Sequence, residues 1–101
     1  MFSWAAETTE DTKQAIREGL LGLAEVIPDI RSYRIGDDAG LGAGNFDFVV
    51  VGDFDDPDGF VAYRDHPAHQ HLVKELIAPA ITRRVAVQHH WHHALPEDLP
   101  G

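Results

Sequence analysis

The stretch from Phe46 to Phe54 is the strongest strand signal in the chain, and it restricts the fold more than any other. Strand alternation puts Phe46, Phe48, Val50 and Phe54 on one face and Val49 and Val51 on the other, so the centre is apolar on both sides. A sheet built on this strand must be covered twice. The helical segments of the chain suffice for one face. Val49 and Val51 are left to be buried by something else, most simply a second copy of the same sheet.

The rest of the chain supplies the helices and the remaining strands. A helix is predicted from about Thr9 to Ile27, with Thr8 or Thr9 as N-cap and Glu10 and Asp11 set against the positive helix end. Ile16, Leu20, Leu23 and Ile27 follow a 4-3-4 spacing that makes one apolar stripe, and Pro28 stops the helix. A short strand is predicted from Ile30 to Ile35, with Tyr33 and Ile35 on one face. The glycine-rich segment Gly36 to Asn45 leads into a strand, whereas a phosphate-binding glycine loop must lead into a helix. It is read as a hairpin connection.

The acidic run Asp53 to Gly59 fails as a calcium loop, because Pro57 and Arg64 fall where oxygen ligands are required. It is a helix start instead: Asp56 caps, Pro57 takes the first helical position and Asp58 opposes the dipole. This helix passes through Phe60 and Tyr63 and breaks at Pro67; a second segment, about Ala68 to Ile77, turns Leu72, Val73, Leu76 and Ile77 inward. On an unbroken helix Tyr63 and His69 would point about 120° apart. A bend at Pro67 lets them converge. The last strand is predicted from Ile81 to about Trp91, with Val85 and Val87 on the same face.

Together with a very short strand at Phe2 to Ala5, these elements give the split βαβ order of a ferredoxin-like α+β domain with one antiparallel sheet. Two such sheets face to face make a dimeric α/β barrel. The chain's 101 residues form one domain over residues 1–94, followed by an acidic C-terminal tail over 95–101.

Several function classes are excluded by composition. Eight Lys and Arg against seventeen Asp and Glu give a formal charge of −9, which repels nucleic acid. The longest strongly apolar run, Phe48 to Val51, is far too short to cross a bilayer, and the first residues lack the basic start of a secretory signal. With no cysteine the chain suits a reducing compartment, and the cytoplasm is expected. His66, His69 and His71 have no carboxylate at matching spacing, and alternation splits the histidines of residues 89–93 between two faces, so no metal site is predicted.

Asp53-Phe54-Asp55-Asp56, the segment Tyr63-Arg64-Asp65-His66-Pro67-Ala68-His69, Ile77-Ala78-Pro79 and Arg84-Val85-Ala86-Val87 together resemble the stress-responsive α/β-barrel (Dabb) domain family. The resemblance covers nearly the whole chain, including Pro28 to Tyr33. It implies a small homodimeric barrel, in most members without a known reaction. A few plant members are polyketide cyclases, cofactor-free lyases or isomerases in which a tyrosine and a histidine matching Tyr63 and His69 close a ring by an aldol step. The resemblance thus implies His69 as candidate base and Tyr63 as candidate acid. Further strand histidines found in those cyclases have no counterpart on the third strand here, which carries Phe46, Phe48 and valines.

Three functional expectations follow. The first is a homodimer binding a small hydrophobic molecule between sheet and helices, with Phe48, Val50, His66, Leu72 and Leu76 as candidate ligand-binding residues. The second is a cyclase-like enzyme using His69 and Tyr63 without a cofactor. The third is a non-catalytic structural stress protein in which His66 and His69 order the helix junction.

Overall fold

The computed structural model describes residues 1–90. The short strand β1 (Phe2–Trp4) leads into helix α1 (Glu10–Val26), then strands β2 (Ser32–Asp37) and β3 (Phe48–Asp53). Helices α2 (Pro57–Asp65) and α3 (Pro67–Leu72) follow, then a π-helical turn (Val73–Ile77), the single turn α4 (Ala78–Ala80) and strand β4 (Ile81–Arg84). All neighbouring strands are antiparallel, in the order β2-β3-β1-β4. The helices lie on one face of this sheet, which is the ferredoxin-like α+β arrangement.

Local chemistry explains where α1 starts and stops. The Thr9 side chain accepts from the Thr12 N–H, Glu10 and Asp11 occupy the first turn, and the Ile27 N–H closes on the Leu23 carbonyl just before Pro28. Ile16, Leu20, Leu23 and Ile27 are buried and meet Phe2, Phe48, Leu72, Ile77 and Ala80 in one core. The centre of that core is aromatic: Phe2 stacks on Phe48 with ring centroids 5.1 Å apart, and Trp4 closes the cluster.

The strands differ from the sequence reading at their ends. Because the Ile30 N–H bonds the Ile27 carbonyl, residue 30 belongs to the turn leaving α1, and β2 begins two residues later than the pattern suggests. The strand predicted up to Trp91 ends at Arg84, since its one neighbour β1 is short and the last ladder bonds join Met1 to Val85. A strand cannot outrun its partner. Trp91 and the tail at 95–101 lie outside the described residues. The Gly36 to Asn45 segment is the expected hairpin connection between β2 and β3, and Gly40 and Gly44 in it take φ of 75° and 80°, which other residues rarely adopt.

Two glycines of α1 illustrate how helix packing is set. A methyl group at Gly19 would lie 2.6 Å from Leu72 Cδ1, while at Gly22 it would meet nothing within 4 Å. Gly19 therefore allows α1 and α3 to approach closely. Gly22→Ala is expected to stabilise the protein by about 0.5–1 kcal/mol through helix propensity. Gly19→Ala is expected to lower stability by about 1 kcal/mol net, because displacing buried Leu72 costs more than the propensity returns. Thermal unfolding of the two variants should bracket the wild type.

Candidate functional site

The site begins with a gap in a helix. The Asp56 side chain accepts from the Gly59 N–H to start α2, and Pro57 at the first turn needs no donor. At the other end Pro67 has no N–H to offer the Tyr63 carbonyl, so the His66 N–H turns back to it at 3.2 Å. Ala68, whose N–H would continue the helix to Arg64, instead donates to His66 Nδ1 at 3.1 Å. The Arg64 carbonyl is thereby stranded. His69 Nδ1 and Gln70 Nε2 fill it, at 3.0 and 2.6 Å.

This solution of a backbone problem places a functional group. Drawn back to Arg64, the His69 ring lies against Tyr63 with centroids 4.4 Å apart. The two side chains that an unbroken helix would separate are in contact. With the Nδ1 hydrogen donated to the carbonyl, the Nε2 lone pair of a neutral His69 is free. His66 plays a different part, because its Nδ1 caps α3 and only Nε2 remains available.

Tyr63 has a second partner that inspection of the sequence did not single out. The Tyr33 hydroxyl, from β2, lies 2.7 Å from the Tyr63 hydroxyl, and Phe54 and Phe60 pack around the Tyr63 ring. The available signal was strand alternation, which puts Tyr33 on the helix-facing side with Ile35. Of the other candidate residues, Phe48 and Leu72 are buried in the core, while Val50 and Leu76 are partly buried against it. These four are packed among core side chains, and the polar cluster Tyr33, Tyr63 and His69 sits at the edge of that packing.

Burial governs the electrostatics. It raises the Tyr63 phenol above its ordinary value, against opposing pulls from the Tyr33 bond and the charge of Arg84. It also lowers His69 below 6.5, although the Arg64 carbonyl favours the protonated ring; Arg84 and His66 add to the lowering. His69 is therefore neutral at pH 7, the form a proton acceptor needs.

The sign of the linked stability follows. The unfolded chain takes up a proton at His69 near the ordinary value of 6.5, while the folded chain resists it. Stability from this group is complete above that pH and declines as pH falls below it, levelling off under the folded value. Between pH 7.5 and 5 the wild type is expected to lose more stability than His69→Gln. Urea denaturation of both proteins across that range measures the difference.

The arrangement defines a ferredoxin-like α+β domain with a tyrosine–histidine cluster at a broken helix. The chain belongs to the stress responsive A/B barrel (Dabb) domain family, whose model matches residues 1–89. It is 44% identical to a dimeric ferredoxin-like protein of unknown function from Thermobifida fusca, with a TM-score of 0.78 over 86% of this chain and 81% of that one. A dimeric ferredoxin-like protein from Bacteroides fragilis is 21% identical, with 89% of each chain covered and a TM-score of 0.72. A Dabb family protein from Mesorhizobium loti shares the fold at 14% identity, covering 86% of this chain and 91% of that one, with a TM-score of 0.68. No curated protein matches the chain significantly. Among the described residues no helix is long and apolar enough to cross a membrane.

Proposed function

We propose that this protein is a cytoplasmic homodimer, closed through the outer face of its sheet, that holds a small hydrophobic molecule carrying an oxygen acceptor against Tyr63 and His69. The observation that carries the ligand reading is the half-buried phenol and imidazole in contact at 4.4 Å beside an apolar core. Such a site offers one hydrogen-bond donor and one lone pair to an otherwise apolar guest. Dimerisation is supported by Val49, Val51 and Val85, exposed at 37%, 37% and 42% on one monomer, and by the Thermobifida fusca relative, which is described as dimeric.

The experiment is native mass spectrometry of protein purified without a metal-affinity step. A dimer with a reproducible organic adduct is expected. A monomer overturns the assembly; a bare dimer whose His69→Ala variant melts lower with no ligand-dependent effect supports the structural stress-protein role instead.

One observation favours a second reading, in which the same site is catalytic. The Arg64 carbonyl fixes the His69 tautomer and leaves Nε2 as a base, with Tyr63 positioned as an acid beside it. His69 Nε2 removes a proton alpha to a carbonyl, and Tyr63 hydrogen-bonds or protonates the oxygen on which the charge develops. This is the chemistry of a cofactor-free cyclase, lyase or isomerase. Unchanged turnover of the adduct-derived substrate by His69→Gln removes it.

A further inference from the structure

We propose that Tyr33 is a positioning residue of this site: its hydroxyl holds the Tyr63 oxygen and donates to it as the Tyr63 hydrogen passes to a ligand oxygen. The proposal rests on the reading of Tyr63 and His69 as a ligand site. Tyr33 and Tyr63 are the chain's two tyrosines, thirty residues apart, and their hydroxyls meet at 2.7 Å. One hydrogen bond between two hydroxyls uses one of their two hydrogens. Whichever oxygen accepts keeps a hydrogen for something else.

Three features make Tyr63 the oxygen that carries the charge when one of the pair ionises. Arg84 lies on the helix-facing side of β4, opposite Phe2 in register, and its positive charge bears on both Tyr63 and His69. Negative charge is therefore favoured on the Tyr63 oxygen. Burial together with its bond to Tyr63 keeps Tyr33 protonated far above the ordinary range. Its ring is held by its cross-strand partner Gly52, where even a methyl group would come within 3.3 Å of Tyr33 Cδ1. Once the Tyr63 oxygen is ionised it can only accept, so the protonated Tyr33 hydroxyl is then the donor of the pair.

The consequence is chemical as well as geometric. When Tyr63 hands its proton to a ligand oxygen, the electron pair of that O–H bond stays on Tyr63, and the Tyr33 hydroxyl donates to the resulting phenolate. Tyr33 touches no ligand. It sets where the Tyr63 hydroxyl points and how readily that hydroxyl gives up its proton.

Two tyrosines make the test clean. The full chain is produced with 3-fluorotyrosine, a more acidic phenol, and each resonance is followed by fluorine NMR against pH, with Tyr63→Phe assigning the pair. In the wild-type sequence Tyr63 is expected to ionise before Tyr33. Tyr33→Phe is expected to raise the ionisation point of Tyr63 by about one pH unit, a tenfold loss of acidity from one hydrogen bond to a charged oxygen. An unchanged or lower ionisation point overturns the role of Tyr33, because a hydroxyl that donates to the ionised Tyr63 oxygen must favour its ionisation. If Tyr33→Phe does not fold, the order of ionisation in the wild-type sequence decides, and Tyr33 ionising first overturns the proposal. Adding 4-nitrophenolate, an enolate mimic, separates the underlying reading: movement of the Tyr63 resonance supports it. No movement overturns the ligand site and the assignment of the Tyr63 hydrogen to a ligand, while the effect of Tyr33 on Tyr63 acidity is still read from the titration.

Discussion

Val49→Asp is expected to convert the proposed sheet-to-sheet dimer into a folded monomer, with a loss of affinity of at least about a thousandfold, or about 4 kcal/mol. Val49 and Val51 point away from the helices, and each remains 37% exposed on the isolated chain. In the proposed two-fold assembly each substitution occurs twice, so two carboxylates would enter the same interface. In the ladder with β2 the residue opposite Val49 is Gly36, which offers no charge to neutralise it. Val51→Asp is a milder change, since its cross-strand partner is Arg34, whose charge shares that face. Sedimentation velocity at micromolar concentration measures both, with circular dichroism reporting the fold. A Val49→Asp protein that remains dimeric would place the interface elsewhere.

Phe48→Ala is expected to cost about 3–5 kcal/mol, as large aromatic truncations in packed cores do. Phe48 is 2% exposed, stacked on Phe2 at 5.1 Å and tilted against Trp4 at 5.5 Å. It is also the residue where β3 pairs with β1 and, on its other side, with Asp37 of β2. Its loss weakens all three strands together. Domains of this size are stable by only about 5–15 kcal/mol, so a substantial part of that margin goes with one side chain. The same measurement separates two roles for Phe48. A wall of a ligand cavity would be lost for less than about 1 kcal/mol, because that space is open when the guest is absent, whereas a filled core position gives the larger value. Urea unfolding of the free protein should show a lower midpoint with an unchanged slope.

The sequence was most informative where a residue's neighbours in the chain set its conformation. Thr9, Asp56, Pro57 and Pro67 act on backbone groups within four residues, so the starts of α1 and α2 and the break before α3 were legible. The contact of Tyr63 with His69 was legible for the same reason, because it depends on one bend within seven residues. Less legible was the cap role of His66, since a histidine at Ncap competes with more familiar readings as a ligand or a site residue.

Strand ends and the Tyr33–Tyr63 bond belong to another category. The Ile81 strand has the composition to run further, yet it stops where β1 no longer offers hydrogen bonds. The tyrosine pair depends on how β2 registers with β3 and how α2 lies across both. Alternation gives the face of Tyr33 but not its distance from a helix thirty residues away. Local caps, proline and apolar periodicity are properties of short segments, and they dictated the elements and the two-faced strand. Pairing register and helix packing are joint properties of distant segments, and they alone brought the two hydroxyls to 2.7 Å.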